Sequence, residues 1–169
     1  MSFMKIMRKY CNLLIVMMAV ASHALASDLF VCSSSSHQVL QFDGHTGKGT
    51  GPFTSIANPT GISFQSLEDL MNVSGDLFVC SSSSHQVLRF DGQTGDALGP
   101  FCSAANPTGL AFGTSGDLFV CSSSSHQVLR FDGQTGDALG PFCSVADPKD
   151  LAFGTSGDLF VCSGASHQV

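Results

Sequence analysis

Ser115-Gly116-Asp117-Leu118-Phe119-Val120-Cys121-Ser122-Ser123-Ser124-Ser125-His126-Gln127-Val128-Leu129-Arg130-Phe131-Asp132-Gly133-Gln134-Thr135-Gly136 decides the fold, because residues 74–95 spell the same string 41 positions earlier. The identity extends from 74–103 to 115–144. The opening Ser-Gly-Asp-Leu-Phe-Val-Cys returns once more at Ser156 to Cys162, and a related copy runs from Asp28 to Phe64 before a seven-residue insertion within Gln65 to Val73. Self-similarity at this period marks a repeat architecture.

Inside one copy the apolar runs are short: Leu110 to Phe112, Leu118 to Cys121, Val128 to Phe131 and Ala138 through Phe142. Between them stand Gly113-Thr114-Ser115-Gly116, Ser122 to Ser125, Asp132 to Gly136 and Asn106-Pro107-Thr108-Gly109, residues that preset a turn or accept positive φ. No stretch of the repeat keeps apolar residues at helical spacing over ten positions. Each repeat therefore predicts a four-stranded antiparallel meander. Only Ser66 and Asp69 in the insertion hint at a capped helical turn.

A lone meander cannot cover both of its faces, so successive copies must stack. Twisted four-stranded sheets stacked around an axis form a propeller, for which about 40 to 45 residues per blade is the usual period. The expectation is an all-β, partial or open β-propeller of about 3.5 four-stranded blades, divided near 28–57, 58–105, 106–146 and 147–169.

At the amino end, Lys5, Arg8 and Lys9 precede an apolar run from Leu13 to Ala21 and a small-x-small triplet, Ala24-Leu25-Ala26. This is the form of a cleaved secretory signal over 1–26, and the run is too short for a membrane span. The expected mature protein, secreted to the periplasm or outside the cell, keeps four basic residues (Lys48, Arg89, Arg130, Lys149) against thirteen acidic ones, a net charge of −9. Scattered cations in so acidic a chain exclude a nucleic-acid surface.

Asn106-Pro107-Thr108-Gly109-Leu110-Ala111-Phe112, Gly116 to Val120 and His126 to Gly133 together resemble the NHL-type repeats of six-bladed propellers, including secreted bacterial arrays with an R-F-D-G-x-T-G turn. The resemblance spans Asp28 to Val169. Where that family commonly carries Asp after the second strand, and Asn and Arg flanking the His126 position, this chain has Ser122, Ser125 and Gln127. It implies that Cys32, Cys80, Cys121 and Cys162 replace a small core residue. Cys80 and Cys102, on the second and fourth strands of one blade, would lie about 9 to 10 Å apart, too far for a disulfide. Unpaired core thiols are expected, with cross-blade disulfides as the alternative.

His37, His85, His126 and His167 recur at one position of every repeat, in the hairpin between second and third strands. Imidazoles can hold metal, but equivalent side chains on neighbouring blades stand too far apart to share an ion, so surface turn histidines are expected and no metal or cofactor is assigned. No single copy carries a distinct third residue beside its Ser and His, so no catalytic residue is assigned. The paired aspartates of Asp91 to Asp96 and Asp132 to Asp137 read as hairpin turns and do not match a calcium loop. Asymmetry is confined to Asp147-Pro148-Lys149-Asp150, to Gly164 and Ala165, and to the insertion.

These features point to a binding or scaffolding propeller that recognises a protein or glycan through one loop face, with His37, His85, His126, His167, Asn58, Asn106, Lys149 and Asp150 as candidate ligand contacts. The resemblance also implies a rival, a metal-dependent lyase or lactone hydrolase, for which near-identical blades supply no asymmetric site. Ser166-His167-Gln168-Val169 stops in mid-strand. Two expectations follow: a piece of a longer array without a function of its own, or two chains of twelve strands each closing one ring as a homodimer.

Overall fold

The computed structural model describes residues 28–65 and 75–165. The signal-like segment, the insertion's helical turn and His167 lie outside the described residues. Every regular element among the described residues is a strand, and the strands form four antiparallel sheets. The first holds β1 (Leu29–Ser33), β2 (Gln38–Phe42) and β3 (Gly49–Ser55). The second holds β4 (Pro59–Phe64), β5 (Leu77–Ser81), β6 (Gln86–Phe90) and β7 (Ala97–Ser103), and the third β8 (Pro107–Phe112), β9 (Leu118–Ser122), β10 (Gln127–Phe131) and β11 (Ala138–Ser144). The fourth is the pair β12 (Pro148–Phe153) and β13 (Leu159–Ser163). Each complete sheet is a sequential meander, and the whole is an open β-propeller.

Leu-Phe-Val-Cys-Ser occurs in β1, β5, β9 and β13, yet only β5 and β9 are buried at all five positions. Strand alternation sends Leu77 and Val79 to one face and Phe78 and Cys80 to the other. Leu77 and Val79 pack with Phe90 against Val39 of the first sheet and Ile56 of the link that follows it. Phe78, Cys80, Val87 and Cys102 pack against Leu110, Leu118, Val120 and Phe131 of the third. A third core joins Phe119, Cys121 and Val128 to Leu151 of β12. Burying each such Leu, Val or Phe contributes about 1.5–3 kcal/mol, so stability resides between sheets.

A phenylalanine triad recurs in each of these interfaces. Phe78 meets Phe101 of its own outer strand and Phe112 of the next inner strand edge-on, at 4.8 and 5.0 Å between centroids. Phe30 does the same with Phe53 and Phe64, and Phe119 with Phe142 and Phe153.

The inner strands begin three residues earlier than the apolar runs predict, because Pro107-Thr108-Gly109 is extended rather than a turn. Thr60 Oγ1 donates to the Pro107 carbonyl at 2.8 Å and Thr108 Oγ1 to the Pro148 carbonyl at 2.9 Å, which ties each inner strand to the next. The strands approach so closely that a Cβ on Gly61 would stand 2.8 Å from the Gly109 Cα. At the opposite edge, β3, β7 and β11 each carry a proline (Pro52, Pro100, Pro141) beside a register shift. Removing an N–H there blunts the outer edge against further pairing.

Candidate functional site

Two sets of loops meet at one end of the sheets. One is the hairpin between second and third strands, at 82–85 and 123–126, and the other is the link between outer and next inner strands, at 56–58, 104–106 and 145–147. His37, His85 and His126 close their hairpins at φ of 56°, 57° and 55°, and Asn58, Asn106 and Asp147 hold the facing links at 48°, 52° and 48°. Asn, Asp and His are the non-glycine residues most at home in this left-handed region.

Each histidine then reaches across to its link. Nδ1 of His37, His85 and His126 accepts the backbone N–H of Asn58, Asn106 and Asp147 at 3.1, 3.0 and 3.1 Å. The same histidine carbonyls accept the N–H of Ile56, Ala104 and Val145. An Nδ1 that accepts carries no proton, so the ring proton sits on Nε2. That tautomer leaves the exposed edge of the ring a hydrogen-bond donor.

The serines complete the arrangement. Ser82 and Ser123 N–H groups donate to the Asn58 and Asn106 carbonyls, while the Asn58 and Asn106 side-chain amides donate to Ser82 Oγ and Ser123 Oγ at 2.5 and 2.7 Å. Ser81 and Ser122 Oγ donate to the Ala57 and Ala105 carbonyls at 2.7 and 2.9 Å, and Ser125 Oγ donates to Ser122 Oγ at 2.6 Å. Thus Ser122 and Ser125 belong to one serine network that ties the hairpin to the link. Among the described residues no buried side-chain polar atom lacks a partner.

The last copy rewrites this cluster. Asp147 replaces the asparagine, Gly164 the hydroxyl it would address, and Lys149 the inner-strand threonine; Lys149 Nζ pairs with Asp147 Oδ1 at 2.7 Å. A Cβ on Gly164 would lie 2.5 Å from Asp147 Oδ2 and 2.6 Å from Lys149 Cε, so the ion pair fills the serine's space. The three differences form one exchange of an amide–hydroxyl pair for a carboxylate–ammonium pair. Lys149 and Asp150 sit on β12 and not in a loop, and Asp150 lies over the Cα of Gly109.

Between the second and third sheets this end opens into a shallow cavity of about 370 Å³ lined by His85, Ser103, Ala104, Ala105 and Ser124. His85 and the neighbouring Asn106 thus come to one site, as His37 does with Asn58 and His126 with Asp147. Sequence reasoning missed Ser82, Ser103, Ser123 and Ser124. Their recurrence in step with the histidine was the available signal.

The opposite end carries the acidic turns. Asp91 Oδ1 accepts the N–H groups of Gln93 and Thr94 at 2.9 and 2.8 Å, and Asp132 Oδ1 those of Gln134 and Thr135 at the same distances. Asp43 does likewise with His45 and Thr46. These backbone donors hold the carboxyls of Asp43, Asp91 and Asp132 below the usual carboxylate range. Arg89 and Arg130 pair with Asp76 and Asp117 and cover the rings of Phe78 and Phe119. At the equivalent positions of the first copy, Gln41 Nε2 donates to Asp28 Oδ2 at 2.7 Å.

All six described cysteines are free thiols. Cys80 and Cys102 stand opposite the same residue, Val87, from either side, as second- and fourth-strand positions require. Burial pushes Cys102 and Cys121 up to about 12 and Cys32 to about 11, and it raises the buried Cys80 thiol well above its ordinary value. Among the described residues no three His, Cys, Asp or Glu side chains are grouped to hold one metal ion.

No protein-family model matches this chain, and no curated protein sequence matches it significantly. Solved structures do. The chain is similar to the hydrazine synthase of Kuenenia stuttgartiensis (TM-score 0.66, 20% identity, 81% of this chain and 39% of that one). It is similar to the WD40 β-propeller domain of Doa1 (TM-score 0.63, 16% identity, 83% and 45%). It is also similar to a gluconolactonase of Xanthomonas campestris (TM-score 0.61, 20% identity, 75% and 41%). The chain spans less than half the length of each. These likenesses establish the propeller fold.

Proposed function

We propose that this chain is a secreted scaffold of NHL-like blades that binds a protein or glycan through the histidine-bearing loop face. The observation that carries the reading is the occupied Nδ1 of His37, His85 and His126. With that nitrogen engaged, the face presents Nε2–H donors and serine hydroxyls beside a shallow alanine-lined depression. Donors with apolar patches suit the hydroxyls and ring faces of a sugar, or the carbonyls of an extended peptide. The repeated spacing of these groups fits a ligand that is itself repetitive.

An NMR titration with a panel of neutral oligosaccharides and extended peptides tests this. Binding should move the amides of Ser83, His85, Ser103 and Ser124, and His85→Ala should weaken it. Shifts confined to the Asp91–Asp96 end, or none with any member of the panel, would overturn the reading.

A further inference from the structure

The links that leave the outer strands follow one pattern and differ in their middle residue. Ser55-Ile56-Ala57, Ser103-Ala104-Ala105 and Ser144-Val145-Ala146 occupy the same place at the ends of β3, β7 and β11. That middle side chain packs between sheets: Ile56 is buried with Val39, Leu77 and Val79, and Val145 packs against the core of Phe119, Cys121 and Val128. Ala104, buried in the core of Cys80, Val87 and Leu118, is the smallest of the three. It forms the floor of the cavity of about 370 Å³ that His85, Ser103, Ala105 and Ser124 enclose, in space that valine or isoleucine would occupy with further methyl groups.

The polar groups around this floor are of one kind. His85 offers its Nε2–H, because Nδ1 is engaged by the Asn106 N–H. The hydroxyls of Ser122, Ser123 and Ser125 are held within the serine network. Ser103 and Ser124 are exposed and, among the described residues, take no part in that network, so each hydroxyl can donate and accept. With the ring of His85 neutral, the lining is uncharged throughout.

Backbone groups of the link are already committed. The Ala104 N–H donates to the His85 carbonyl and the Asn106 N–H to His85 Nδ1, while the Ala105 carbonyl accepts Ser122 Oγ and the Asn106 carbonyl accepts the Ser123 N–H. An extended peptide that adds to a sheet is held chiefly through main-chain bonds, and this link keeps those groups for itself. A sugar needs side-chain donors and acceptors beside a small apolar patch, which is what the cavity supplies.

Resting on the reading of this loop face as a binding surface, we propose that the cavity is a subsite for an acetamido group and that the ligand is a neutral glycan containing N-acetylhexosamine. The acetamido group carries a methyl, a carbonyl acceptor and an N–H donor on one flat unit. Its methyl lies on Ala104 and Ala105, its carbonyl accepts the His85 Nε2–H, and its N–H donates to a serine hydroxyl of Ser103 or Ser124. A sugar with a hydroxyl in place of this group sets a polar atom on the alanine methyls, where it loses water without gaining a partner.

Ala104 is therefore the residue that sets specificity. The same frame of His37, Ser55 and Ser83 recurs at the first link, but there the floor is Ile56. The third link differs twice, with Val145 at the floor and Ala165 in place of Ser124. Among the described links, only the second combines the small floor with both hydroxyls.

Calorimetry and saturation-transfer NMR on the full chain test this, comparing the β-1,4-linked trimer of N-acetylglucosamine with the matching glucose trimer, alongside N-acetylgalactosamine and N-acetylmannosamine. An N-acetylated sugar should bind with the strongest saturation at its acetyl methyl, and about tenfold or more tightly than the glucose trimer, the scale on which a pocket distinguishes one small apolar group from its absence. Ala104→Val, the residue type found at the third link, should erase that preference while the melting temperature stays the same or rises. Ser124→Ala, the change already present in the last copy, should weaken the N-acetylated sugar more than the glucose trimer, and it keeps the test valid if the first variant fails to fold. Equal binding of the two trimers, a preference that survives Ala104→Val, or a response to extended peptides but to no sugar would each overturn the acetamido subsite while leaving the loop face a binding surface. With neither sugars nor peptides bound, both readings fall.

Discussion

Nδ1 of His85 accepts the backbone N–H of Asn106 at 3.0 Å across 21 residues, while the His85 carbonyl accepts the N–H of Ala104. One turn residue therefore pins the chain where it leaves one blade for the next. Both roles depend on the left-handed backbone at His85.

His85→Ala should cost about 1–2 kcal/mol, because it removes one hydrogen bond, worth about 1 kcal/mol net, and puts a residue less suited to positive φ at the turn. His85→Asn should cost less, since asparagine accepts the backbone and offers a side-chain oxygen. Urea unfolding followed by far-UV circular dichroism measures both. Equal loss in the two variants would show that Nδ1, and not the turn geometry, supplies the whole effect.

The inner strands give a steric prediction. A Cβ on Gly61 would meet the Gly109 Cα and the Thr108 carbonyl oxygen, each at 2.8 Å, and both are backbone atoms that cannot turn aside. Gly61→Ala should destabilise by about 1–3 kcal/mol, as overpacking does. Gly99→Ala, at positive φ but with nothing within 4 Å, separates strain in φ from crowding. Thermal melts of the two variants should show crowding as the larger cost.

Stability should pass through a broad maximum in pH. Asp43, Asp91 and Asp132 have depressed pKa values, held down by backbone hydrogen bonds. Their stabilisation is complete above the unfolded carboxylate value of about 4 and is lost as pH falls through the folded values. Burial raises Cys102 and Cys121 to about 12, so their contribution is complete below the unfolded thiol value of about 8.5 and declines as pH rises toward the folded one. Asp91→Ala with Asp132→Ala should flatten the acid limb alone, and Cys102→Ala should flatten the alkaline limb. Melting temperatures between pH 3 and 10 test both limbs.

The fold was legible because period, turn residues and strand alternation all agree. The same Leu-Phe-Val-Cys-Ser could not say which copies are buried, since burial depends on the neighbouring sheet. Nor did Asn-Pro-Thr-Gly read as strand: its turn-like letters are needed because a neighbouring backbone lies against Gly109 and Thr108 must reach Pro148. The histidines were legible as turn residues. Their bond to a link 21 residues away was not, because only the stacking of strands brings the two together.

The exchange of Asn, Thr and Ser for Asp147, Lys149 and Gly164 should be strongly coupled. Gly164→Ser alone forces a side chain into the space held by Asp147 and Lys149, and should cost about 1 kcal/mol by disrupting their partly exposed ion pair. Asp147→Asn alone leaves Lys149 without its carboxylate and offers an amide to a glycine. Made together with Lys149→Thr, these changes restore the cluster seen at Asn106 and Ser123, where Asn106 Nδ2 donates to Ser123 Oγ at 2.7 Å. The triple variant should be as stable as the natural chain or slightly more so. A cycle of urea unfolding measurements across the single, double and triple variants should give an interaction free energy of about 1 kcal/mol or more, against near zero for unconnected sites. Additive costs would mean that the three positions drifted independently.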